Sequence, residues 1–83
     1  MKQIAILGTG CPKCNQLAEN TRAATEAAGI ECEIKKVTDV AEIMTYGVLL
    51  TPALVVDGDV LCTGKLPRIE EIQRWIIEAA ASG

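Results

Sequence analysis

An α/β fold, a four-stranded mixed sheet with helices on both faces, is predicted by three features of this 83-residue sequence. Short apolar runs alternate with segments of helical spacing through the first half of the chain. An Asp-Gly turn signal then folds two short runs back on each other. A last helical segment follows. The order is β-α-β-α-β-β-α, with no linker, repeat or low-complexity stretch, so residues 1–83 are expected to form one domain.

Ile4 to Leu7 are apolar on both faces, as in a strand covered from both sides. Gly8-Thr9-Gly10 breaks that run. A helix is predicted from about Cys11, with Pro12 at the first helical position, where a missing N–H costs nothing. Cys14, Leu17, Ala18, Thr21, Ala24 and Ala28 recur at helical spacing, and Gly29 is placed to end the helix. Ile30, Cys32 and Ile34 alternate with Glu31, Glu33 and Lys35, the period of a strand with one buried face. Thr38 or Asp39 can cap a short helix through Tyr46, with Gly47 after it. Ala53 to Val56 form a third strand, Asp57-Gly58-Asp59 a turn, and Val60 to Cys62 the returning strand. Pro67 is expected to open the last helix, with Ile69, Ile72 and Ile76 on one face and Ala79 to Gly83 fraying.

Composition narrows the chemistry. Eleven acids face eight bases, the net charge is −3, and there is no histidine. Basic residues are scattered and Tyr46 and Trp75, both expected to pack, are the only aromatics, which argues against nucleic acid as a partner. Without histidine, the commonest general base and metal ligand are missing, leaving cysteine, carboxylates and lysine. No run approaches the roughly 18 apolar residues of a membrane span. The apolar run after Met1-Lys2 is also shorter than the roughly 7–15 residues of a signal-peptide centre. The chain is expected to be a cytoplasmic monomer without a membrane partner. In that reducing compartment four cysteines point to redox or metal chemistry rather than a structural framework.

Cys11-Pro12-Lys13-Cys14 carries that chemistry. Two cysteines at this spacing, the first at a helix N-terminus, can bridge across the first turn. Free N–H groups and partial positive charge at the helix end favour a thiolate at Cys11, and Lys13 adds a cation. The thiolate is the form that attacks a disulfide. Cys14, one turn inside, would resolve the mixed disulfide. Cys32 falls on the buried phase of its strand and reads as core filler, whereas Cys62 can be core or partly exposed.

Strand–CPxC–helix, then Thr51-Pro52 before a hairpin and Gly64 after it, resembles the thioredoxin superfamily. Gly8 to Cys14, with Tyr46-Gly47-Val48 and Thr51 through Gly58, is most similar to its small glutaredoxin-sized members, the redox-active disulfide protein 2 type. The resemblance covers essentially the whole chain. It implies a thioredoxin-like fold, a cis Thr51–Pro52 bond against the CxxC pair, and a Thr51 backbone that pairs with an incoming peptide. It also implies a disulfide oxidoreductase acting on client proteins, with no bound cofactor. Cys11 and Cys14 would be catalytic, and Gly10, Pro12, Lys13, Thr51, Pro52 and Gly64 would meet the substrate. Val48-Leu49-Leu50 either packs as loop or offers an apolar landing site beside Pro52.

Departures from the family pattern are specific. Thioredoxins proper bury an aspartate under the second cysteine, but Ile4 to Leu7 carry no acid. Glutaredoxins hold glutathione through T-V-P and Gly-Gly-x-x-Asp, whereas this chain has Thr51-Pro52 and then Gly64-Lys65, which points to a separate protein reductase as donor. The competing reading is a module that binds and transfers Cu(I) or zinc, because Gly-x-x-Cys-x-x-Cys also resembles heavy-metal-associated domains. Those domains end in a strand and lack the Thr-Pro step. A four-cysteine zinc site would need a second close pair, and Cys32 and Cys62 stand apart.

Overall fold

The first apolar run becomes an inner strand of the sheet. The computed structural model describes residues 2–10 and 12–82. Its elements are β1 (Lys2–Leu7), α1 (Pro12–Ala28), β2 (Cys32–Val37), α2 (Val40–Thr45), β3 (Ala53–Val56), β4 (Asp59–Thr63) and α3 (Ile69–Ser82), in the predicted order. The sheet runs β2-β1-β3-β4. β1 is parallel to β2, which requires a crossover that α1 supplies, and antiparallel to β3. β3 and β4 form a hairpin through Asp57 and Gly58, both at positive φ (49° and 87°), the backbone demanded by the tight two-residue turn.

Strand alternation then divides the interior into two layers. Ile4, Ile6, Leu54 and Val56 pack with Leu17, Ala18 and Ala24 of α1 and with Ile72 and Ile76 of α3. On the opposite face Ala5, Leu7, Val37, Ala53 and Val55 meet Ile43 and Val48, with Tyr46 against them. Burial of each large aliphatic side chain contributes roughly 1.5–3 kcal/mol. Asp39 caps α2, its Oδ1 accepting the Ala41 N–H at 3.0 Å. Asp57 ties the hairpin to the start of β1. Its Oδ1 accepts the Gln3 N–H at 2.9 Å and its Oδ2 lies 3.0 Å from Lys2 Nζ. That backbone bond first, and then Lys2, hold its carboxyl below the usual carboxylate range.

Several boundaries differ from the sequence reading, each for a pairing or capping reason. β1 starts at Lys2, which pairs with Cys32, and β2 runs on to Val37 because Leu7 is its partner. Ile30 and Glu31 precede the strand. α3 starts at Ile69 rather than Pro67. The Arg68 N–H meets Glu71 Oε1 at 3.4 Å, and Arg68 carbonyl oxygen accepts the Ile72 N–H at 3.1 Å, so Arg68 caps the helix and buried Pro67 precedes it. Ile69 consequently lies largely off the buried stripe formed by Ile72 and Ile76. The helix continues through the expected fraying region to Ser82, and Ala79 packs on the core.

Candidate active site

Three chain segments converge where β1 ends. Gly8 continues the sheet, its N–H donating to Val37 carbonyl oxygen at 3.0 Å. Gly10, at φ +94°, adopts a backbone that favours glycine and turns the chain toward α1. Pro12 is the first residue of α1, as predicted. Cys14, on the first turn, is only 5% exposed. The helix-terminal position predicted for Cys11 lies outside the described residues. Pro12 and Lys13, the two residues before Cys14, are exposed.

Gly8 is the functional position that sequence reasoning missed. A Cβ built there lands on the Cys14 Sγ, 3.1 Å from the Cys14 Cβ and 4.0 Å from the Pro52 Cα. Only hydrogen fits between the end of β1, the buried sulfur and the proline loop. The signal was visible as a glycine directly after an apolar strand and six residues before Cys14. Its neighbours Thr9-Gly10 made it read as a simple breaker.

The Thr51–Pro52 peptide is cis. Pro52 is buried beside Gly8, while Thr51 is exposed. Gly64 closes the loop from the other side, donating its N–H to Pro52 carbonyl oxygen at 2.8 Å. A Cβ on Gly64 would lie 3.2 Å from two carbons of Leu50. The run before Pro52 divides sharply. Val48 is buried, whereas Leu49 is 97% and Leu50 61% exposed.

Matches to known proteins coincide with this architecture. A family profile described as "Thioredoxin domain" matches residues 2–77. A protein named thioredoxin from Methanocaldococcus jannaschii is 51% identical over 73 residues, covering 88% of this chain and 84% of that protein. The chain belongs to the thioredoxin family. A second thioredoxin, from Methanothermobacter thermautotrophicus, is 36% identical over 74 residues, covering 89% of this chain and 96% of its own. Thioredoxins are protein-disulfide oxidoreductases, so this chain is a member of an enzyme family.

The two remaining thiols lie on β2 and β4. Cys32 opens the edge strand β2, half-buried, with its Sγ 3.5 Å from Ile30 carbonyl oxygen. Burial pushes its thiol up, and the Asp57 carboxylate adds to that. Cys62 is half-buried against the main core for a reason periodicity hides. Leu54 pairs with Cys62 but Val55 with Val60, so Leu61 is an extra residue, and consecutive Leu61 and Cys62 both reach the core. Burial raises the Cys62 thiol most, a hydrogen bond with the Leu54 backbone opposes it, and Glu71 raises it further while Lys65 opposes. Raised thiols are poor nucleophiles at neutral pH. Among the described residues, no three cysteine, aspartate, glutamate or histidine side chains gather where they could hold a metal. No described helix is long and apolar enough to cross a membrane.

Proposed function

We propose that this chain reduces protein disulfides in the cytoplasm through a Cys11–Cys14 dithiol couple. The carrying observation is the burial of Cys14 in the first turn of α1, between Gly8 and the Pro52 loop. Cys11 attacks as the thiolate. One client sulfur joins Cys11 as a mixed disulfide, and the other leaves with the electron pair and takes a proton from solvent. Cys14 then attacks the Cys11 sulfur. The second client sulfur departs, and the protein is left oxidised by two electrons with a Cys11–Cys14 disulfide.

The remaining roles follow from position. The Thr51 backbone, exposed beside Pro52, pairs with an extended client segment, and Gly10, Pro12 and Gly64 leave the groove open. Lys13 supplies a cation near the attacking thiolate. Leu49 and Leu50, exposed just before Pro52, suit an apolar protein segment better than a charged tripeptide.

The donor follows from the same surface. Thr63-Gly64-Lys65-Leu66 offers no acidic group for the amine of glutathione. A dedicated protein reductase is therefore expected to sustain client reduction far faster than millimolar glutathione in parallel coupled assays. Equal rates would place the chain with the glutaredoxins. A purified protein that holds Cu(I) or zinc tightly and fails to turn over in either assay would replace the redox reading with metal transfer.

Cys32 and Cys62 take no part in this cycle. Replacing both with alanine should cost roughly 1 kcal/mol of stability. The potential of the remaining couple should move by less than about 30 mV in a defined thiol–disulfide buffer. A larger shift would bring one of them into the redox site.

A further inference from the structure

The segment between β4 and α3 is tied at its two ends to two different parts of the molecule. At Gly64 it holds the proline loop. The Gly64 N–H donates to Pro52 carbonyl oxygen at 2.8 Å, and Leu50 packs where a Cβ on Gly64 would stand. At Pro67 it holds α1, because Asn20 Nδ2 donates to Pro67 carbonyl oxygen at 3.2 Å. Lys65 and Leu66, between the two ties, are exposed. Asn20 belongs to the same helix as Cys14, further along α1.

The orientation of the Asn20 amide is set from both sides. A carbonyl oxygen only accepts, so the amide turns its NH₂ toward Pro67. Its Oδ1 accepts from Gln16 Nε2 at 2.9 Å, one turn earlier on the helix. The Pro67 carbonyl lies outside the ladder of α3, which begins with the Ile72 N–H on Arg68 carbonyl oxygen. Asn20 is half-buried and Pro67 buried, so the bond is partly shielded from water. Asn20 does not line the cavity beside Cys14, whose wall on α1 is made by Cys14 and Asn15.

We infer that Asn20 is a positioning residue for the proposed client groove, holding its Gly64 side to α1 through the Pro67 carbonyl. The inference rests on the dithiol reading and on the groove between α1, Thr51-Pro52 and Gly64. With the tie in place, the segment from Gly64 to Pro67 is ordered before a client arrives. Without it, Lys65 to Pro67 must be ordered each time a client segment binds, and that cost appears as weaker binding. The bond exchange at Cys11 and Cys14 is untouched, because Asn20 stands outside the cavity at the buried sulfur.

The test separates binding from chemistry. A parent carrying Cys32→Ala and Cys62→Ala keeps one dithiol. Its reduced form is mixed with excess insulin at varied concentration, and oxidised protein is counted by thiol alkylation after acid quench. The same form is mixed with dithiobis-nitrobenzoate, a small disulfide with no peptide segment to seat. Asn20→Ala should raise the half-saturating insulin concentration about three- to tenfold, the scale of one lost neutral hydrogen bond. The limiting rate, and the rate with the small disulfide, should match the parent's.

Asn20→Asp keeps the size of the side chain and sets a carboxylate oxygen against the Pro67 carbonyl oxygen. Its shift should be at least as large. A purely structural role would lower stability and leave the half-saturating concentration of the folded protein where it was. That result in both variants would overturn the role of Asn20 and leave the dithiol reading intact. So would an equal loss of rate with the small disulfide, which would place the effect at the cysteines. A parent that reduces the small disulfide but not insulin would overturn the client groove, and Asn20's role with it. A parent that reduces neither would overturn the dithiol reading itself.

Discussion

A Cys11→Ser variant is expected to lose client-disulfide reduction down to the uncatalysed background. Cys14→Ser should attack once and stop. The difference follows from the two positions. In the proposed cycle Cys11, next in sequence before Pro12 of α1, is the attacking thiolate. A serine hydroxyl there contributes almost no alkoxide at neutral pH, so the nucleophile is gone. In the proposed cycle buried Cys14 acts second, on the mixed disulfide. With serine in its place the first step proceeds and the second does not. A covalent adduct with a client that is itself split by added thiol should accumulate on a non-reducing gel. The assay must exclude small thiols, which can resolve the adduct in place of Cys14. Steady turnover by Cys11→Ser, or unhindered multiple turnover by Cys14→Ser, would reverse the assignment.

Much of this architecture is written in local patterns, and the exceptions share one physical cause. Asp57-Gly58, Gly29, Gly47 and Asp39 each impose a turn or an end through their own chemistry, and each acts where the sequence predicts. The positions of Pro12 and Cys14 in the first turn of α1 and of Thr51-Pro52 before β3 are likewise legible, because short spacing fixes their relation to a helix start and a strand start. Features set by a distant partner are not legible in this way. The length of β2 follows from where β1 runs beside it, and the inward reach of Cys62 follows from a bulge against β3. The start of α3 depends on whether Glu71 turns back to Arg68. Gly8 matters only because α1 brings Cys14 across the end of β1. Its role belongs to a contact between elements, which periodicity does not report.

Gly8→Ala tests that contact, and its effect should be large. Gly8 does not need the left-handed backbone, so alanine suits its conformation and only space is at issue. The new methyl would overlap the Cys14 Sγ, with the backbone of Pro52 behind it. Either the cysteine rotates away or β1 and the proline loop separate. Overpacking of this kind costs roughly 1–3 kcal/mol. Displacing the resolving sulfur by about an ångström should slow resolution on the order of 10²-fold. Gly10→Ala is the contrasting variant. A Cβ on Gly10 meets nothing within 4 Å, but its φ of +94° strains an alanine, so it should lose stability without crowding the sulfur. The decisive measurement is a stability cycle in which Cys14→Ala is combined with Gly8→Ala. Removing the sulfur makes room for the methyl, so the double variant should recover most of the loss caused by Gly8→Ala, a coupling of about 1–2 kcal/mol. Strictly additive losses would mean that the methyl is accommodated elsewhere and that Gly8 does not hold the space for Cys14.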